Sequence, residues 1–213
     1  IALPVATLAL LQKSENSITH FNLYRRVTGI ASIPADTAKI TFTAGSTGAP
    51  KGVVLTAAAM DGVAQGLMHA LAAVTMRNHL CVLPLSTLLE NVAGVYLPLL
   101  RGGVVTVLPL AQIGFSGSSE FDADILLRAI RTSGADSLIL TPQLLKLLID
   151  VLKQQTAELQ LQFVAVGGGK VAPALLREAR QLGLPVYEGY GLSECASVVA
   201  LNVPSGNLDG SCG

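Results

Sequence analysis

From residue 38 to residue 187, short apolar runs alternate with segments whose apolar residues recur every three or four positions. A strand buried on both faces produces the first pattern and a helix with one buried face the second. Their alternation predicts an α/β fold: βαβ units around a mainly parallel sheet with flanking helices. Strands are expected at 38–43, 52–55, 79–83, 104–108, 137–140 and 163–166, with a last strand starting at 185–187. Helices are expected from about 57 to 74, with Thr56 as cap and Met60, Val63, Leu67, Leu71 and Val74 on one face, and from 88 to 100, ended by Gly102 and Gly103. Three more are expected: near 122–132, after Thr141 as cap with Pro142 in first position, and from Pro173 to a stop at Gly183. The Gly/Ser-rich stretch 113–120 (IGFSGSSE) reads as a mobile loop.

The 213 residues are enough for one sizeable core, and the whole chain reads as a single α/β region. Fourteen Lys+Arg balance fourteen Asp+Glu, so nothing in the charge favours nucleic acid or an acidic membrane as partner. Only 13% of residues are charged and 51% are hydrophobic, which predicts that part of the surface is normally covered, by further sequence or by a partner subunit, with a homodimer left open. The three cysteines, Cys81, Cys195 and Cys212, lack CxxC spacing and fit neither a disulfide framework nor a zinc site; a reducing, cytoplasmic setting is expected. Residues 1–11 (IALPVATLALL) contain Pro4, lack a basic flank and are too short to span a bilayer. They read as a strand or core segment, with a trimmed signal region as the alternative. The Ile1 start and the loop-like end GNLDGSCG give both ends a cut look, and a fragment is expected.

Three polar clusters interrupt the apolar pattern. The first, 43–52 (TAGSTGAPKG), packs three glycines, three hydroxyls and one lysine into ten residues. It is not the nucleotide loop G-x-x-x-x-G-K-[ST]: Gly45 and Gly48 are three apart, Lys51 follows Pro50, and a β-like run (GVVL) follows where that loop would enter a helix. Free backbone N–H groups, Ser46, Thr47 and the Lys51 ammonium can still wrap a polyphosphate from a hairpin-like loop; a polar turn is the alternative. The second cluster, 187–194 (YEGYGLSE), is placed after the last strand, where open α/β sheets bind ligands. There Tyr190 can stack on a base, Ser193 can bond a phosphate oxygen and Glu194 can hold magnesium. The third, Val166 followed by Gly167, Gly168, Gly169 and Lys170, lets backbone approach a flat ligand.

In this order, TAGSTGAPKG, GGG and YGLSE resemble the motifs of the adenylate-forming (AMP-binding) enzymes, which include acyl-CoA synthetases, firefly-type luciferases and peptide-synthetase adenylation domains. The resemblance runs from about Lys39 onward and is nearest to long-chain acyl-CoA synthetases. It implies ATP-dependent activation of a carboxylate to an acyl-adenylate, then attack by a thiol, with ATP, Mg²⁺ and CoA as cofactor and cosubstrates. By motif, Ser46, Thr47, Gly48 and Lys51 would hold the β- and γ-phosphates, and Tyr190 would stack on adenine beside Gly168 and Gly169. Ser193 would contact the α-phosphate and Glu194 would bind Mg²⁺, while Thr43, Gly45, Glu188, Gly189 and Gly191 complete the nucleotide site. Lys51, Ser193 and Glu194 are the expected catalytic residues. Ser193 stands for the usual Thr and keeps its hydroxyl; Ala44 stands for the usual Ser or Gly.

Residues 83–91 (LPLSTLLEN) look like a long-chain synthetase segment in which Thr87 replaces a common histidine, so no histidine role carries over. Amino-acid-activating relatives carry an Asp where this chain has Leu85, which favours an uncharged acyl substrate. His20, His69 and His79 match no motif and read as structural or surface residues. The family's ribose-binding acid, hinge and C-terminal domain with a second lysine are not found up to Gly213. The chain is therefore expected to be part of the large N-terminal domain, and inactive alone in thioester formation. Other outcomes of the resemblance are an adenylate ligase serving a carrier protein, and a non-catalytic nucleotide-binding or scaffolding relative.

Overall fold

In the computed structural model the described residues are 11–13, 24–26, 33–43, 51–117, 120–155 and 157–213. They fall in two units, Ile1–Ala35 and Asp36–Gly213. In the first, β1 (Leu11–Lys13) pairs antiparallel with β2 (Tyr24–Arg26); the expected strand at 1–11, but for Leu11, and His20 lie outside the described residues.

The second unit begins with β3 (Thr37–Thr43), β4 (Lys51–Thr56), α1 (Ala57–Ala70) and β5 (Asn78–Leu80), then a π-helical segment (Glu90–Tyr96) that runs into α2 (Leu97–Leu100) and β6 (Val104–Thr106). Next come α3 (Leu110–Ile113), β7 (Phe115–Ser116), β8 (Glu120–Phe121), α4 (Ala123–Ser133), β9 (Ser137–Leu140), α5 (Pro142–Gln154) and β10 (Phe163–Val166). It closes with α6 (Pro173–Gln181), β11 (Val186–Leu192), a 3-10 turn (Ser193–Cys195) and β12 (Ser197–Leu201).

The main sheet has six strands in the order β12-β11-β10-β9-β5-β6. Five are parallel and β12 is antiparallel to β11. Every residue of β9 is buried, as expected of a central strand with helices on both faces. The helices start where side-chain oxygens accept free amide protons: Ala59 N–H donates to Thr56 Oγ1 at 3.1 Å, Asp124 N–H to Asp122 Oδ1 at 2.9 Å, and Leu144 N–H to Thr141 Oγ1 at 3.3 Å. Apolar stripes then bury Leu126, Leu127 and Ile130 of α4, and Leu145, Leu148 and Ile149 of α5, in one large core.

Several expectations change. The first helix stops at Ala70 rather than near 74, because the Arg101 guanidinium donates to the carbonyls of Leu71 (2.7 Å) and Val74 (2.6 Å) in a half-buried turn. The helix at 88–100 is widened into a π segment. Strands 79–83 and 104–108 shorten to the three-residue β5 and β6. The stretch 113–120 is not a plain loop: it contributes to the β7–β8 hairpin, where Phe115 and Phe121 meet edge to face with centroids 4.8 Å apart. The last expected strand is extended through Leu192 and is followed by β12, so most of YEGYGLSE lies within a strand rather than after one.

Candidate active site

Hairpin β3–β4 brings Thr43 opposite Lys51, and the Thr43 hydroxyl donates to the Lys51 carbonyl at 3.5 Å. The loop between them, including Gly45, Ser46, Thr47 and Gly48, lies outside the described residues. Lys51 is exposed and has no ion-pair partner among the described residues. Strand β4, which Lys51 opens, lies against the 3-10 turn carrying Ser193 and Glu194, although the two elements are far apart in sequence. A small cluster of Leu55, Met60, Leu88, Val92 and Ala196 forms the apolar seat beneath this contact. Lys39 adds a polar tether: its ammonium donates to Asn91 Oδ1 and lies 5.5 Å from the Tyr96 ring centroid.

The glycine cluster follows β10 at the carboxyl end of the parallel strands. Gly167 N–H donates to the Leu140 carbonyl at 3.1 Å, and Gly168 adopts φ +79°, a backbone that glycine takes without strain. Beside it, β11 presents Gly189, Tyr190 and Gly191. Tyr190 is 53% exposed, which leaves a ring face free. The β11–β12 register shifts between Tyr190 and Gly191, and a Cβ at Gly191 would sit 2.1 Å from the Ser197 carbonyl oxygen, so only glycine fits this close approach.

Gly168, Tyr190 and Ser193 line a cavity of about 210 Å³ whose wall continues through Leu67, Leu71, Leu97, Leu138 and Ile139. Among the described residues, no lysine or arginine lines it. Thr87 lines it, so the position where a histidine is common does face this space; Leu85 is exposed and does not line it. Glu188 does not line this cavity. Its carboxylate is buried, with Oε2 lacking a hydrogen-bond partner among the described residues, and it contributes, after burial itself, to raising the Cys212 thiol above its ordinary range.

Beneath the cavity lies a group that sequence reading missed. His79 Nε2 is 2.8 Å from Glu90 Oε1, its Nδ1 is 3.2 Å from Ser137 Oγ, and Leu83 N–H donates to Glu90 Oε2 at 2.8 Å. Glu90 is fully buried because the π segment turns it inward, and it was legible only as the single charge in the apolar run 88–100. Burial first, then the Glu90 charge and a hydrogen bond to it, push the Cys81 thiol up to about 12. The ligand atoms of His79, Cys81 and Glu90 lie within 4.8 Å of one another, a set able to hold a metal ion. Each already has a protein partner, however, so the hydrogen bonds alone account for their burial. His79 is thus a structural histidine that also lines the cavity floor; His69 is exposed, its Nδ1 2.8 Å from the Gln65 carbonyl oxygen.

A family model described as AMP-binding enzyme matches residues 5–213. Among curated proteins, the chain is 29% identical over 171 residues to a 2-succinylbenzoate–CoA ligase of Bacillus cytotoxicus, covering 78% of this chain and 32% of that protein. It is 28% identical over 166 residues to a Bacillus cereus protein of the same name, covering 75% and 31%. The chain therefore spans about a third of the length of the curated relatives it matches. Among solved structures, O-succinylbenzoate CoA synthetase from Bacillus subtilis in complex with AMP superposes with TM-score 0.64 at 24% identity, covering 80% of this chain and 41% of that one. A long-chain-fatty-acid-CoA ligase from Archaeoglobus fulgidus gives TM-score 0.65 at 23% identity, covering 86% and 36%. The B. subtilis enzyme has also been solved with ATP and magnesium ion, at TM-score 0.64, 22% identity and 85% and 36% coverage. These likenesses establish the same fold.

Proposed function

The chain belongs to the AMP-binding enzyme family, and from that premise we propose that its parent protein joins a carboxylic acid to ATP and passes the acyl group to the thiol of CoA. In the first step a substrate carboxylate oxygen bonds to the α-phosphorus as the α–β bond breaks and pyrophosphate leaves. In the second the CoA thiolate attacks the acyl carbon, a thioester forms and AMP leaves. The barrier to the first step is electrostatic, since two anions must meet, and fixed cations and N–H donors lower it.

The observation that carries this reading is the packing of β4, with Lys51 at its head, against the turn bearing Ser193 and Glu194. It supports Lys51, with Thr43, Gly45, Ser46, Thr47 and Gly48, as the clamp on the β- and γ-phosphates, and Ser193 as donor to the α-phosphate. Tyr190 would cover the adenine on one side, with Gly168 and Gly169 lying against it. Glu194 is exposed and among the described residues has no hydrogen-bond or ion-pair partner, which suits a carboxylate that holds a hydrated Mg²⁺. When bound, that ion supplies charge neutralisation on the phosphates.

The apolar cavity favours an uncharged acyl group, fatty or aromatic, over an amino acid or a second carboxylate, neither of whose charges has a counter-ion among the described lining residues. Because the chain covers about a third of its curated relatives, thioester formation is expected to need sequence beyond these residues. Carboxylate-dependent ATP–pyrophosphate exchange on the full-length parent tests the reading, with a panel of fatty acids, aromatic monocarboxylic acids and 2-succinylbenzoate. Exchange is expected with monocarboxylic acids, falling roughly 10²–10³-fold in Lys51→Ala. No exchange with any acid would overturn it.

A further inference from the structure

Three side chains of metal-ligating type meet beneath the cavity, and the proposed reaction uses none of them. His79 and Cys81 stand two positions apart on one extended run, because the Cys81 N–H continues the pairing of β5 with β6 by donating to the Thr106 carbonyl at 3.0 Å; both side chains therefore leave the same face of the sheet. The π segment brings Glu90 to them. All three are buried, at 1%, 2% and 0% exposure, and one ligand atom from each lies within 4.8 Å of the other two.

Their hydrogen bonds are of two kinds. The outer atoms are held by groups outside the set: His79 Nδ1 by Ser137 Oγ at 3.2 Å, and Glu90 Oε2 by the Leu83 N–H at 2.8 Å. The inner atoms, among the described residues, have only one another: His79 Nε2 faces Glu90 Oε1 at 2.8 Å, and the Cys81 thiol bonds to the same carboxylate. A metal-binding set has this arrangement when protons stand where the ion would be, with outer partners orienting the imidazole and the carboxylate while their near atoms converge. Among the described residues no lysine or arginine pairs with Glu90, so its buried charge has no permanent cation to offset it. Glycine at position 94 keeps side-chain atoms off the converging pair, since a Cβ there would lie 2.1 Å from Oε1 and 2.7 Å from Nε2.

We propose that His79 Nε2, Cys81 Sγ and Glu90 Oε1 form a binding site for a divalent cation of the zinc type, which ties β5 to the π segment under the cavity. One nitrogen, one sulfur and one oxygen suit zinc, with water as the fourth ligand; magnesium takes oxygen ligands and keeps its waters, so this site is separate from the phosphate-side ion proposed at Glu194. Tetrahedral zinc holds such ligand atoms about 3.3–3.7 Å apart, so the imidazole and carboxylate spread and the thiol closes in, each by roughly 1 Å. As the ion binds, the Cys81 thiol proton leaves to solvent and the imidazole proton passes from Nε2 to Nδ1, where Ser137 Oγ accepts its hydrogen bond. The cavity that His79 lines is the route of entry.

The test uses the full-length parent, stripped by chelator, with Co²⁺ as the probe, because a thiolate ligand gives a near-ultraviolet charge-transfer band that all-oxygen sites lack. Co²⁺ is expected to produce this band, Zn²⁺ to abolish it by displacement, and a large excess of Mg²⁺ to leave it unchanged. Cys81→Ser, close in size, should remove the band, together with the rise in melting temperature of about 2 °C or more that saturating Zn²⁺ gives wild type. Ser137→Ala should keep the band and weaken Co²⁺ binding about 10–100-fold, because that hydroxyl only orients the imidazole. Cys195→Ala and Cys212→Ala should keep both band and affinity, and they carry the assignment should Cys81→Ser fail to fold. No band in wild type, a band that survives in Cys81→Ser or is lost in Cys195→Ala or Cys212→Ala, or displacement by Mg²⁺ overturns the proposal. None of these readouts depends on adenylation.

Discussion

A methyl group at Gly94 would lie 2.1 Å from Glu90 Oε1 and 2.7 Å from His79 Nε2, inside the buried pair that supports the cavity floor. Gly94→Ala is therefore expected to cost about 2–4 kcal/mol in urea unfolding, since either the pair separates or the π segment shifts. Gly62 and Gly66, with nothing within 4 Å of an added Cβ and both inside α1, provide the contrast: alanine there should stabilise by up to about 1 kcal/mol. Cys81 carries a pH prediction. Its folded pKa of about 12 lies above the ordinary thiol value of 9.0, so the native state holds this proton more tightly than the unfolded chain does. Its contribution to stability is complete below pH 9 and is lost as pH rises from 9 towards 12, to be read from denaturant midpoints of wild type against Cys81→Ala. At pH 8 iodoacetamide should label the exposed Cys195 and leave Cys81 untouched. At this scale the sequence proposes Lys51, Ser193 and Glu194 through motif, whereas the positive φ of Ser197 could not be read from it, because that belongs to the folded backbone and serine in SVVAL looks ordinary.

Elements were legible where local chemistry decides them. Thr56, Asp122 and Thr141 sit at helix starts, and β9 and β10 have the expected bounds because apolar runs between turns leave little choice. Asp122→Ala, which removes an oxygen that accepts from both Asp124 and Ile125 N–H, should destabilise by about 1 kcal/mol in thermal or urea unfolding. Elsewhere a tertiary partner overrules the local signal. The stretch 188–192 is rich in glycine, a poor strand former, yet it is held extended by β12, which pairs with Gly189 to Leu192 where the pairing with β10 ends at Glu188. The π segment forms where Glu90 is drawn to His79 and Leu83, partners eleven and seven residues away that helical periodicity does not see.

For the whole molecule, the low charge fraction pointed to surface that is normally covered, and hairpin β3–β4 shows such a surface: Phe42 is 71% exposed, Val54 40% and Ile40 37%. With no net charge to keep copies apart, the isolated chain is expected to associate as its concentration rises, and Phe42→Ser should weaken that association in light scattering. The parallel sheet could be read from the alternation of patterns. The meeting of β4 with the Ser193–Glu194 turn could not, except through resemblance, because it is a contact between residues some 140 positions apart. The seat of that contact is a cluster of five buried side chains distinct from the core beneath the main sheet. Amide hydrogen exchange should therefore show two populations: β3 and β4 trading protons through a local, low-energy opening, and β9 and β10 only when the whole sheet unfolds. In the proposed reaction, a hairpin that opens independently would let pyrophosphate leave while the floor formed by the main sheet stays closed.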